Sequence, residues 1–309
     1  MRILVLGAGA VGGYFGGRLI EKGEDVTFLV RERRQKQLSE HGLVINSLHG
    51  NLQLKPKTIV GGDPIEPYDI ILFATKAYHL KSGIEAIKPY VGDKTSIIPL
   101  LNGYNHFDVL KEAFGAEKIV GGLCFIEATL NERGDIVQTS QAHQLFFGEL
   151  TGGTSTRVAA INEVLSNTKA VFELRDFIFQ DIWHKYLFIT TLSGITTLMR
   201  SAIGPIRKIT NGENLIEQLL NETASIMRAS GVPIATNIEA MQMEIIKKQA
   251  ETMKSSMLRD IEKSYPIEAD HIQGYLLQLA EKHSVHAPLL TLVYHNLKVY
   301  ESNLGCLAP

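Results

Sequence analysis

Gly7, Gly9 and Gly12 meet the spacing G-x-G-x-x-G at the start of the chain, in GAGAVGGYFGGRLIEKG. The pattern suits a dinucleotide. The first glycine permits a tight turn, the second lets backbone approach a pyrophosphate, and the third lets a helix pack close to a strand. Ala8, Ala10 and Val11 complete the loop, whose free N–H groups at a helix start form an anion site. Gly16 extends the close-packing face by one turn. The context is the required one: RILVLG reads as a buried strand before the motif, and DVTFLV as a second strand after the helix.

The end of that second strand chooses the cofactor. An NAD site has an acidic residue there for the ribose 2′-hydroxyl. This chain has Val30 and Arg31, then Glu32, Arg33 and Arg34. Guanidinium groups bind a 2′-phosphate that a carboxylate would repel. The reading is NADP(H), with Arg31 as first contact and Arg34 second; a solvated, charged helix start is the plain alternative. The strand YDIILFATK ends in Thr75 and Lys76, and TSIIPLLNG ends in Asn102 and Gly103. Ligands of a doubly wound sheet lie at the carboxyl ends of its strands. A surface lysine and an Asn-Gly turn are the plain readings of Lys76 and Asn102.

Lys185 stands in the apolar stretch WHKYLFITTLSG, residues 183–194. It reads as a lysine with no acidic partner close in sequence. Its plain reading is a long stem packed on apolar surface with the ammonium reaching water. His184 points about 100° away on a helix and reads as packing or surface.

These residues need elements to position them. At 309 residues the chain is long enough for two domains. Charged residues at 21% and hydrophobic residues at 45% fit a globular protein. A net charge of −2 gives no reason to expect nucleic acid or an anionic membrane. No apolar run approaches the roughly 20 residues that span a bilayer. Cys124 and Cys306 are far apart, without metal-ligand spacing, and read as reduced thiols of a cytoplasmic protein. Cys124 lies in a core-like strand. KIVGGLCFIEATL reads as a strand, residues 136–150 as further strands, and RVAAINEVLSNT as a helix. From about residue 177 the apolar period becomes helical, in DIWHKYLFITTLSGITTLMR, ENLIEQLLNETASIMRASG, IEAMQMEIIKKQAETMK, ADHIQGYLLQLAEKHS and PLLTLVYHNLKVY. Pro205, Gly212, Pro233 and Pro288 punctuate them. The expected fold class is α/β: a Rossmann dinucleotide-binding domain over residues 1–176 and an all-α substrate and catalytic domain over 177–309. The site is expected in the cleft between them. The exposed face of the helical domain is a candidate homodimer surface.

The set GAGAVG, an Arg after the second strand, TKAY, LLNG, a Trp-x-Lys on the first helix, and SSMLRDI followed by IEADHIQGYL resembles the ketopantoate reductases (2-dehydropantoate 2-reductases) along essentially the whole chain. The resemblance implies NADPH-dependent reduction of 2-dehydropantoate to pantoate, on the route to pantothenate and coenzyme A. It implies Lys185 as general acid, Lys76 and Asn102 as cofactor and active-site contacts, and Ser256 and Glu268 as substrate-binding residues. No metal is implied. Hydride addition to a ketone makes an alkoxide that must be protonated. A partly desolvated ammonium becomes a better acid and stabilises the developing charge. Ser256 could instead be a helix N-cap, and Glu268 a first-turn acid favoured by the helix dipole.

The helix of Lys185 departs from the family. Four and eight residues later, on the same face, the family usually has asparagines. Here Ile189 and Ser193 stand, with Ser193 kept as a shorter substrate contact and Gln273 where the family often has Asn. One lost hydrogen bond to a charged group costs about 1.5–3 kcal/mol. Either binding is weaker or the substrate is a different, more apolar one. Two further readings follow: an NADPH-dependent reductase of another 2-oxo acid or ketone, and a non-catalytic NADP(H)-binding sensor.

Overall fold

The structure, a computed structural model, describes residues 1–62 and 66–307, the side chains of 306 and 307 excepted. The reading of Cys306 as a reduced thiol therefore lies outside the described residues. The chain forms two compact units, one of Met1–Leu101 with His106–Phe179, the other of Asn102–Asn105 with the chain from Gln180 onward. No helix among the described residues is long and apolar enough to cross a membrane.

The first unit runs β1 (Arg2–Leu6), α1 (Ala10–Lys22), β2 (Asp25–Leu29), α2 (Glu32–His41), β3 (Leu43–Ser47), β4 (Leu52–Leu54), β5 (Lys57–Ile59), β6 (Tyr68–Phe73), α3 (Leu80–Ile87), β7 (Val91–Pro99), α4 (Asn105–Phe114), β8 (Gly121–Leu130), β9 (Ile136–Gly148), α5 (Thr156–Leu165) and β10 (Val171–Leu174). One sheet is all parallel, in the order β5-β2-β1-β6-β7. Its central strands are buried on both faces, so β1 and β6 read as continuous apolar runs. The second sheet is built on β9. Strand β8 pairs along one edge, while β3 and β10 share the other, at its start and its end. Strands β3, β4, β5 and β10 correct the sequence reading, which left them out. β4 and β5 are three residues long and β10 is four, too short to show a period. The segment read as several strands at 136–150 is the single strand β9.

Helix α1 lies between these sheets, and its glycines explain how. A Cβ on Gly12 would run into the Gly7 carbonyl and come 2.8 Å from Ala74 Cβ; one on Gly16 would come 2.7 Å from the Phe28 ring. The opposite face meets the second sheet: Cβ atoms on Gly13 and Gly17 would lie 2.6 Å from Ile136 and 2.7 Å from Ile45. Between them Arg18 is fully buried, its guanidinium bonded to Glu21 at 2.8 Å and to the Gly50 carbonyl at 2.6 Å. Tyr14 hydrogen-bonds His143 Nδ1 at 2.8 Å, and His143 stacks on His49 with centroids 3.5 Å apart.

The second unit is helical: α6 (Ile178–Met199), α7 (Ile203–Lys208), α8 (Gly212–Ala229), α9 (Ile238–Lys248), α10 (Ser256–Glu262), α11 (Tyr275–Lys282) and α12 (Pro288–Leu307). Among the described residues no strand follows Leu174. Pro205 does not separate helices; it sits in the first turn of α7, where a missing N–H is harmless. The helix read through Lys254 stops at Lys248, because Gln249 takes an extended ψ of 143°. Asp270–Gly274, read as α-helix, is a π-helical turn.

Two outcomes are expected. Gly12→Ala should lower the unfolding free energy by about 1–3 kcal/mol in denaturant titration, because backbone must move to admit the methyl. The His143 imidazole is held below its usual 6.5, first by burial, then by His49 and Arg18. Below that value the unfolded chain binds a proton that the native site refuses, so stability is lost as pH falls. Calorimetry from pH 7 to 5 should show the loss, and His143→Gln should reduce its slope.

Candidate functional site

In the first unit the glycine loop fits a dinucleotide. Gly7 takes a φ of +93° and donates its N–H to the Leu29 carbonyl at 3.0 Å. Gly9 precedes α1 and provides no side-chain cap, so the amides of Ala10, Val11 and Gly12 are left to another acceptor. A Cβ on Gly9 would meet nothing within 4 Å, which leaves space above the helix start. No acidic residue stands in the first turn of α1 to oppose an anion. Arg31 is exposed at the start of α2, with Nη2 3.4 Å from His79 Nδ1. Arg33 is exposed as well. Arg34 is half-buried. Its Nε donates to the Ala8 carbonyl at 3.1 Å and its Nη1 to Gln37 at 2.5 Å and to the Gly134 carbonyl at 3.0 Å, so it braces the glycine loop. Lys76 is half-buried two residues beyond the first position after β6, where its carbonyl accepts from the His79 N–H at 2.9 Å.

In the second unit Lys185 lies on α6, 8% exposed, and its Nζ donates to Asn102 Oδ1 at 2.9 Å. Two residues that sequence spacing alone could not join are thereby brought together. Asp181 stands four positions earlier, one turn along the helix, so the reading of Lys185 as lacking an acidic neighbour in sequence is corrected. His184 is packing: its Nε2 accepts from the Ala235 N–H at 3.0 Å, and burial lowers its pKa against the pull of Asp181.

The Asn102 segment is clamped from both sides. Tyr104 stacks on Trp183 with centroids 4.5 Å apart. His271 lies against Gly103 and hydrogen-bonds the Asn102 backbone. Burial pushes the His271 imidazole below its usual value, while Glu268 and the Asn102 bond pull it back. Tyr186, fully buried and with its pKa raised by burial, donates its hydroxyl to the Ile272 carbonyl at 2.5 Å. None of these ring contacts has a signal in local sequence; only the aromatic spacing around Lys185 hints at them.

The remaining predicted residues divide. Ser255, not Ser256, caps α10, accepting from the Leu258 N–H at 3.1 Å and bonding Thr196 Oγ1 at 2.8 Å. Ser256 is exposed, free of the capping duty that was its plain reading. Glu268 is buried, one turn before His271. Ile189 is half-buried. Ser193 is buried and accepts from Gln273 Nε2 at 2.8 Å, so the longer amide reaches the shorter hydroxyl. Cys124 is a buried core thiol.

Residues 3–152 match the family model described as ketopantoate reductase PanE/ApbA, and residues 178–301 match its C-terminal companion. The chain is 44% identical over 302 residues to the uncharacterized oxidoreductase YkpB of Bacillus subtilis (strain 168), covering 98% of this chain and 99% of that one. It is 26% identical to the 2-dehydropantoate 2-reductase of Pyrococcus horikoshii, covering 98% of each. The crystal structure of 2-dehydropantoate 2-reductase from Geobacter metallireducens GS-15 superposes with a TM-score of 0.88 at 25% identity, covering 97% of this chain and 99% of that one.

Gly9→Ala is expected to leave stability within about 0.5 kcal/mol of the parent, because the position is open. The methyl should weaken nicotinamide dinucleotide binding in a fluorescence titration; unchanged affinity would remove Gly9 from the binding loop.

Proposed function

The chain belongs to the PanE/ApbA family of ketopantoate reductases, and we propose that it reduces 2-dehydropantoate to pantoate with NADPH, with Lys185 as proton donor. Family membership makes it an oxidoreductase that uses a nicotinamide dinucleotide on a carbonyl or its alcohol. The substrate and the preference for NADPH are the proposal. The observation that carries it is Lys185, a buried lysine whose ammonium donates to Asn102 Oδ1 at 2.9 Å.

The dinucleotide supplies the hydride when bound. Gly7, Ala8, Gly9, Ala10, Val11 and Gly12 would hold its pyrophosphate, and Lys76 and Asn102 are the further contacts proposed. Arg31, exposed and without a competing carboxylate bond among the described residues, is the proposed partner of a 2′-phosphate. Lys185 holds the proton that the reduced oxygen takes up, and its charge stabilises that oxygen beforehand. Ser256, Ser193 and Glu268 are proposed to fix a small 2-oxo acid. In this proposal residues 1–176 serve the cofactor and residues 177–309 the substrate, and the exposed Leu292 and Val299 of α12 face a second copy of the chain.

A second reading, reduction of a different and more apolar 2-oxo acid, is favoured by one feature. Ile189 offers no hydrogen bond on the face of Lys185, and Ser193 is already bonded to Gln273.

The test is NADPH oxidation with 2-dehydropantoate beside other 2-oxo acids, and NADH as control. Preferred turnover of 2-dehydropantoate supports the first reading; turnover confined to another acid supports the second. Dinucleotide binding with silence across the panel would favour a sensor. Arg31→Ala should weaken NADPH binding by about tenfold to a hundredfold, the value of a charge-assisted bond, and leave NADH nearly unchanged. Equal weakening of both would remove Arg31 from the 2′-phosphate.

A further inference from the structure

A carboxamide aims an ammonium only if the carboxamide is itself held. Asn102 belongs to a bend between β7 and α4, outside regular secondary structure. Gly103 beside it takes a φ of +84°, and the space where a Cβ would stand is closed by the His271 ring, 3.2 Å away at Cδ2 and 3.3 Å at Nε2. The same imidazole hydrogen-bonds the Asn102 backbone. A neutral imidazole has one N–H, and that is the group a backbone carbonyl requires. His271 is only 8% exposed, so water does not easily replace it. It is the second residue of the π-helical turn Asp270–Gly274, a geometry frequent at functional sites. The next residue, Ile272, is fixed through its carbonyl by the buried hydroxyl of Tyr186, which lies one position after Lys185. Ring, loop backbone, carboxamide and ammonium thus form one continuous chain of contacts within the second unit.

We infer that His271 is a positioning residue for Lys185: its imidazole fixes the Asn102–Gly103 backbone, and through it the carboxamide that orients the ammonium. The inference rests on the reading of Lys185 as proton donor. The facing groups suit the role. Burial favours the neutral ring, while Glu268, one turn earlier, opposes that effect. A neutral ring bonds the loop without placing a second positive charge behind the Lys185–Asn102 pair.

The test compares the parent with His271→Phe, which keeps a ring and removes the donor, and with His271→Asn and His271→Gln, which return an amide N–H near Nδ1 or Nε2. His271→Phe should lower kcat by about tenfold to a hundredfold, the scale of a small misplacement at a reacting centre. One amide variant should recover most of the loss. In an Asn102→Ala background, where no carboxamide remains to aim, His271→Phe should add almost nothing. A crystal structure of the His271→Phe protein should show the Asn102 Oδ1–Lys185 Nζ bond broken, a readout that needs no substrate. Parental kcat, effects that multiply with Asn102→Ala, failure of both amides, or an intact bond would each overturn the inference. Lys185→Ala alongside separates the two readings. Normal turnover there removes the proton-donor role, whereas loss there with a normal His271→Phe protein removes the positioning role alone.

Discussion

Lys185 is buried, 8% exposed as a residue, and a lysine so placed needs acceptors for its ammonium; Asn102 Oδ1 is one of them. A hydrogen bond from a charged group is typically worth about 1.5–3 kcal/mol. Much of the second unit near α6 serves this bond. Gly103 accepts a left-handed φ so that Asn102 faces the lysine, the Tyr104–Trp183 stack fastens the loop to α6, and Tyr186 fastens the π-helical turn. A charge kept from water in this way is also one that can be placed against a developing alkoxide without first shedding solvent. Structure and chemistry meet in the same atoms.

The first unit solves a different problem with the same economy of residue type. Helix α1 must approach two sheets at once, and only glycine lets it do so on both sides. Gly12 and Gly16 admit the parallel sheet, and Gly13 and Gly17 admit Ile136 and Ile45 of the second sheet. Of the glycines from Gly7 to Gly17, Gly9 is the one that faces open space. The motif that suits a pyrophosphate is therefore largely a packing device, and its ligand-binding part is the loop at the helix start.

Much of this was legible in the chain. The strand–glycine–helix pattern, the change to helical period near residue 177, and the long apolar strands each carry a local signal, because burial on both faces or one face writes itself into residue order. The short strands β3, β4, β5 and β10 did not, since their pairing is decided by partner strands distant or short in sequence (β9 for β3 and β10, β2 for β5, β3 for β4) rather than by their own few residues. In the site, Lys185 and Asn102 could be singled out by type and position, but their bond spans 83 positions and depends on the fold. His271 escaped notice because its role lies in a ring edge against a glycine. Ser256 and Ser255 are adjacent and alike in type; only the structure separates the cap from the exposed hydroxyl. Asp181, one turn before Lys185, is legible in the residue order itself.

The most direct measurement is chemical rescue of a Lys185→Ala protein. With NADPH and the preferred 2-oxo acid, turnover should fall to near background while NADPH binding stays at the parental level. Added small primary alkylamines should restore turnover in proportion to their concentration, because a soluble ammonium can occupy the emptied place and deliver the proton. Loss of turnover that every amine leaves unchanged, or a Lys185→Ala protein as active as the parent, would contradict the role of Lys185 as the proton donor.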